Sequence, residues 1–124
     1  MSLKAIDPAL DLMSDFAKVT HGVTRHIQHM REAAIFTDGA LPARQKALSA
    51  MLWSISARCE PCIVFYVQQA VTRGATEAEL GELLAVASTM GGCVGEMWAL
   101  KAYKTYRDFV GGQVIPQEAP SCCA

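Results

Sequence analysis

Apolar residues in this chain return at spacings of three and four, the period of a helix that buries one face. Ala47, Met51, Leu52 and Ile55 share one such face. Ile63, Val64, Val67, Ala70 and Val71 make a second, and Leu80, Leu83, Leu84 and Ala87 a third. No stretch alternates apolar and polar residues as a half-buried strand would. Turn residues divide the helices. Asp7-Pro8 reads as an N-cap followed by proline at the first helical position. A helical region then runs to about Phe36, interrupted near Gly22. Thr37 to Pro42 reads as a turn, and Pro42 opens a helix to about Ala57. Pro61 opens the next helix and Gly74 closes it from the C′ position. Thr76-Glu-Ala-Glu79 reads as a capping box. Gly91-Gly92 breaks the helix that follows. A last helix is expected from about Cys93 to Val110, stopping at Gly111-Gly112. The pattern predicts one all-α domain over residues 1–112, a bundle of five to six helices with antiparallel neighbours. Residues 113–124 read as a flexible tail containing Cys122 and Cys123.

Composition changes this picture in three ways. The chain is 52% apolar and only 19% charged. A single small domain has too little interior for that much apolar surface, so part of it is expected between subunits. The 11 basic and 12 acidic residues leave a net charge of −1, which argues against a nucleic-acid surface. No long apolar run follows the first residues, so no signal peptide is expected. No run of about 18 uncharged apolar residues stands out, so no membrane span is expected either. The chain has 5 cysteines. An odd number with no export signal fits a cytoplasmic protein whose cysteines serve redox chemistry, catalysis or metal binding.

The chemistry concentrates at Ser56-Ala-Arg-Cys-Glu-Pro-Cys62. Capping logic puts Cys59 at the start of the third helix and Cys62 one turn later, on the same face. A thiolate at a helix N-terminus is stabilised by unpaired N–H groups and by the dipole. Arg58 adds a positive neighbour, and Glu60 opposes it. Three readings are open from these residues: a redox pair, two small buried thiols, or half of a zinc site. Zinc usually wants four Cys/His ligands in paired clusters. Here the second cluster is missing, because Cys93 stands alone and His26 and His29 lie in another helix.

Cys59-Glu-Pro-Cys62-Ile, Ala70, Gly74-Ala-Thr-Glu-Ala-Glu-Leu80 and Met90-Gly-Gly92 together resemble the carboxymuconolactone decarboxylase and alkylhydroperoxidase D-like family. Asp38 to Pro42 and the helix carrying Lys46 fit as well, so the resemblance covers about residues 30 to 105. It implies an alkylhydroperoxidase D-like helical bundle that associates into trimers or hexamers, with active sites near subunit contacts. For the Cys-x-x-Cys branch it implies thiol-dependent peroxide reduction or disulfide exchange. The residues do not fix the electron donor; a small dithiol or a thioredoxin-like protein would serve. Two positions depart from the peroxidase pattern. Its proton relay has a histidine four residues after the second cysteine, where this chain has Tyr66. It has a glutamate twelve residues before the first, where this chain has Ala47. Tyr66 lies one turn from Cys62, so its hydroxyl could reach the sulfur, but a phenol is a poor base at neutral pH.

The expectation is a thiol–disulfide oxidoreductase, with peroxidase activity as an extension, in which Cys59 meets thiol partners and Cys62 completes the disulfide. Its alternative is a non-catalytic module that binds a ligand or metalloid on the same fold; a lactone decarboxylase is a lesser one. Cys93 is a candidate third thiol, or a small residue at a close helix contact. Glu96 is a candidate acid, or an answer to the helix dipole. Cys122-Cys123 reads as an ornamented terminus, or as a dithiol that could pass electrons to the pair or hold a soft metal ion or metalloid. No cofactor and no bound metal are expected. Trp53, Trp98, Tyr103, Tyr106 and Phe109 read as core or interface aromatics. Lys101, Lys104 and Arg107 read as a solvated stripe.

Overall fold

The computed structural model describes residues 3–113. The helices are α1 (Leu3–Ile6), α2 (Met13–Val19), α3 (Val23–Ala34), α4 (Ala43–Ala57), α5 (Glu60–Thr72) and α6 (Glu77–Gln113), with a 3-10 turn over Pro8–Leu12 before α2. Among the described residues there is no strand. Cys122 and Cys123 lie outside them, as does nearly all of the expected tail.

The core is the meeting of α4, α5 and α6. The faces expected from the periodicity supply it: Ala47, Met51, Ile63, Val67, Ala70 and Leu80 are all buried, with Ala99 and Ala102 from the far end of α6. Leu83, Leu84, Tyr103 and Tyr106 pack partly buried around them. Asp38 accepts from the Ala43 N–H at 2.7 Å and so secures the start of α4. The capping box forms in both directions. Thr76 Oγ1 accepts from the Glu79 N–H at 3.1 Å, and Glu79 accepts from the Thr76 N–H at 3.0 Å. Arg44 of α4 reaches the same carboxylate at 3.2 Å, which ties the start of α6 to the start of α4.

The expected break at Gly91-Gly92 is a single non-helical residue. Gly92 has φ 62 and ψ −148, a region essentially restricted to glycine. The chain doubles back there. A Cβ on Gly95 would run into the carbonyl of Ala87, eight residues earlier, whereas on one continuous helix they would stand about two turns apart. Tyr103 donates to Glu77 at 2.7 Å, closing the same hairpin at its open end. Residues 77–111 contain an 18-residue window of mean hydropathy 1.4, long and apolar enough to cross a membrane by composition. The bend at Gly92 interrupts that stretch; Leu80, Ala87, Ala99 and Ala102 turn into the core, whereas Val86, Met90, Val94, Met97 and Leu100 stay exposed.

The N-terminal third differs from its sequence reading. The helical region begins with α1, before Asp7, and passes through the 3-10 turn, where Asp7 caps the Ala9 N–H at 3.0 Å. The interruption takes two left-handed residues, His21 (φ 56) and Gly22 (φ 87). Helices α2 and α3 pack on each other and not on the backbones of α4, α5 or α6. Their apolar residues are correspondingly open: Met13, Phe16, Val19, Val23, Ile27 and Met30 are all exposed, as is Leu12 at the end of the preceding turn.

Candidate redox site

Helix α4 ends at Arg58, which adopts the left-handed conformation (φ 57, ψ 41). Its N–H donates to the Ile55 carbonyl and the Cys59 N–H to the Ser54 carbonyl, both at 3.1 Å. These crossed bonds are a Schellman ending, with arginine where glycine is usual. Cys59 then turns extended (φ −101, ψ 99) and caps the start of α5, with Pro61 in the first turn. Its carbonyl accepts from the Ile63 N–H at 2.9 Å. Cys62 is one turn along, and a disulfide joins the two residues with Cα atoms 5.3 Å apart, inside the usual 4.4–6.8 Å range. Both cysteines are partly buried. The two halves of the expected pair are therefore together, at a helix N-terminus. Pro61 has no N–H, so the unpaired first-turn donors are those of Glu60 and Cys62.

The supporting residues fall in different places. Glu60 is exposed in the first turn of α5. Tyr66 is half-buried, and its hydroxyl oxygen accepts a hydrogen bond from Arg31 Nε of α3 at 3.1 Å. Phe65 and Phe36 pack around Tyr66 with ring centroids 5.0 and 6.2 Å away. Ala47, the other relay position, is fully buried in the core. Cys93 and Glu96 are both exposed on α6 just after its bend. His26 and His29 are exposed on α3. Among the described residues no three of His, Cys, Asp and Glu come together as a metal-binding group.

Sequence reasoning missed two features of this neighbourhood. One is Arg31, whose partner lies 35 residues away, too far for a periodicity argument. The other is a groove of about 310 Å³ between the end of α4 and the bend of α6, with Arg58 on its lining. The only sequence signal for it was a cation placed next to Cys59.

An all-α bundle that carries a Cys-x-x-Cys disulfide at the start of a core helix defines a class of helical dithiol proteins. The chain belongs to the carboxymuconolactone decarboxylase family, whose model matches residues 22–105. Its fold is similar to the crystal structure of an apo carboxymuconolactone decarboxylase family protein from Legionella pneumophila. That match has a TM-score of 0.74 at 31% identity and covers 82% of this chain and 90% of that one. An uncharacterized protein of Cupriavidus necator is 42% identical over 65 residues, 52% of this chain. The matched part spans 58% of that relative, less than two thirds of its length.

Proposed function

We propose that this protein is a thiol–disulfide oxidoreductase that cycles the Cys59–Cys62 pair between dithiol and disulfide. One observation carries the reading: the two cysteines are joined at the N-terminus of α5, where a thiolate is favoured by the helix dipole and free N–H groups. In the reductive half-cycle, a thiolate of a small dithiol or thioredoxin-like donor attacks Cys59 Sγ. The Cys59–Cys62 bond breaks and Cys62 leaves as a thiolate. The donor's second thiol then attacks the mixed disulfide and frees Cys59, so two electrons and two protons reach the pair. In the oxidative half-cycle the reduced pair gives them to a substrate disulfide. With a peroxide, Cys59 takes one oxygen as a sulfenic acid and releases water or an alcohol. Cys62 then displaces water and restores the disulfide.

Peroxide reduction is the slower arm of this cycle, because Ala47 carries no titratable group and the Tyr66 phenol is a poor base at neutral pH. The same two facts favour the second reading, a ligand-binding module without turnover. The reduced cycle suits a reducing compartment such as the cytoplasm. We also propose a homo-oligomer, trimer or hexamer, in which the exposed apolar faces of α2 and α3 cover a second copy. Seven large apolar side chains on one unpacked arm resemble a core cut in half.

The test is to reduce the protein with a small dithiol, remove it, and follow the two cysteines by mass spectrometry as peroxide or an oxidised dithiol is added. Oxidoreductase action gives repeated, stoichiometric return of the Cys59–Cys62 disulfide, faster with the disulfide substrate. A pair that oxidises once and resists renewed reduction by dithiols supports the binding module instead.

A further inference from the structure

The groove beside Arg58 is not used by the disulfide cycle, and its lining has a distinct chemistry. Its walls are apolar: Leu52 from α4, Val86 and Met90 before the bend of α6, Val94 and Trp98 after it. Arg58 is its one charged residue, and no carboxylate lines it. Its volume of about 310 Å³ falls at the lower end of the range for small-molecule pockets.

Arg58 itself is the second observation. It holds the left-handed position that ends α4, where glycine fits without strain and a side chain does not. That strain has no return within the fold, since among the described residues the guanidinium makes no hydrogen bond or ion pair. A strained, exposed arginine without a protein partner, at the edge of an apolar groove, has the chemistry to hold an anion. A guanidinium takes a carboxylate through two parallel N–H donors.

We propose that this groove binds an apolar monocarboxylate, with its hydrocarbon along Leu52, Met90 and Trp98 and its carboxylate on Arg58. The site does not depend on the redox activity of the cysteines, and Cys59 is not among its lining residues. It selects by charge sign: a neutral or cationic molecule with the same chain has the walls but not the anchor.

The full chain has 2 tryptophans, and replacing exposed Trp53 (W53F) leaves Trp98 as the reporter on the groove wall. The experiment titrates this protein with decanoate, decanol and decyltrimethylammonium and reads Trp98 fluorescence. Decanoate should give a saturable change at a concentration about tenfold or more below decanol, as expected of a charge-assisted bond, with the cation weakest. Both R58Q and R58G should bring decanoate to the level of decanol. R58G should also unfold at no lower urea concentration than the parent, because glycine suits that backbone, which separates lost binding from lost folding. Equal affinity for decanoate and decanol overturns the proposal. So does unchanged decanoate binding in R58G. A fluorescence change that follows protein concentration and ignores decanoate also overturns it, by showing that a second copy fills the groove.

Discussion

Arg31 Nε donates to the hydroxyl of Tyr66 at 3.1 Å, one helical turn beyond Cys62. The residue standing at a relay position of the peroxidase pattern is thus tied to α3 rather than to the sulfur. Phe65 and Phe36 pack against it and against each other, and the Arg31 guanidinium also lies 5.6 Å from the Phe65 ring centroid. The arrangement ties α3 by its side chains to the core helix that starts at the disulfide, which α1 also touches.

Tyr66→Phe should therefore act on stability and not on thiol chemistry. Loss of one partly buried hydrogen bond costs about 1 kcal/mol, read as a lower urea midpoint. The alkylation rate of reduced Cys59 should be unchanged. A large fall in that rate would mean that Tyr66 acts on the thiol.

Ala47 is fully buried, so Ala47→Glu tests whether a relay carboxylate is tolerated in this core. Burial disfavours the charged form and raises a carboxyl's folded pKa above its unfolded value. The protonated form is then the one the fold accepts. The variant should be least impaired at about pH 5 and lose more as pH rises through the raised value. Urea melts of variant and parent at about pH 5 and pH 8 check the sign.

The bend of α6 rests on two glycines for different reasons. Gly92 needs its backbone region, and Gly95 needs the absence of a side chain against the Ala87 carbonyl. Gly92→Ala should cost roughly 1–3 kcal/mol through strain, and Gly95→Ala a similar amount, about 1–3 kcal/mol, through overpacking. Gly91→Ala, where nothing lies near a Cβ, is the control and should change the thermal midpoint little.

The Thr76 backbone N–H, with help from Arg44, holds the Glu79 carboxyl below its ordinary value of 4.5. The folded pKa lies under the unfolded one. The contribution is therefore present above the unfolded value and lost as pH falls through the depressed folded one. Glu79→Gln should flatten the acid side of the stability–pH curve and leave its alkaline side unchanged. Thermal melts of both proteins from neutral to acid pH read this.

Local signals carried the bundle's core. Pro42, Pro61, Gly74, the Thr76–Glu79 box and Gly92 each act within one turn of their own position, and each marks a helix end in the structure. The faces of α4 and α5 repeat often enough to identify the buried residues. The arm was less legible: Val23, Ile27 and Met30 mark one helical face, but the arm packs little on the core and leaves that face exposed, and Trp53 is likewise 74% exposed. Lys101 and Lys104 are solvated as read, whereas Arg107 donates to Tyr103 at 3.1 Å. The proximity of Cys59 and Cys62 was legible because helical spacing alone brings them together. The Tyr66–Arg31 bond and the groove between α4 and α6 were not, because each needs the tertiary placement of elements far apart in the chain.

The most direct measurement is the alkylation rate of Cys59 in the reduced protein against pH, with the label located by mass spectrometry and Cys62→Ser as the companion variant. The account predicts fast labelling of Cys59 at neutral pH, with a midpoint below the ordinary thiol value of about 8.5. It also predicts that C62S will hold a mixed disulfide on Cys59 when given the disulfide of a monothiol, which has no second thiol to release it. Slow labelling of both cysteines until the pH passes that value, with no mixed disulfide in C62S, would contradict it.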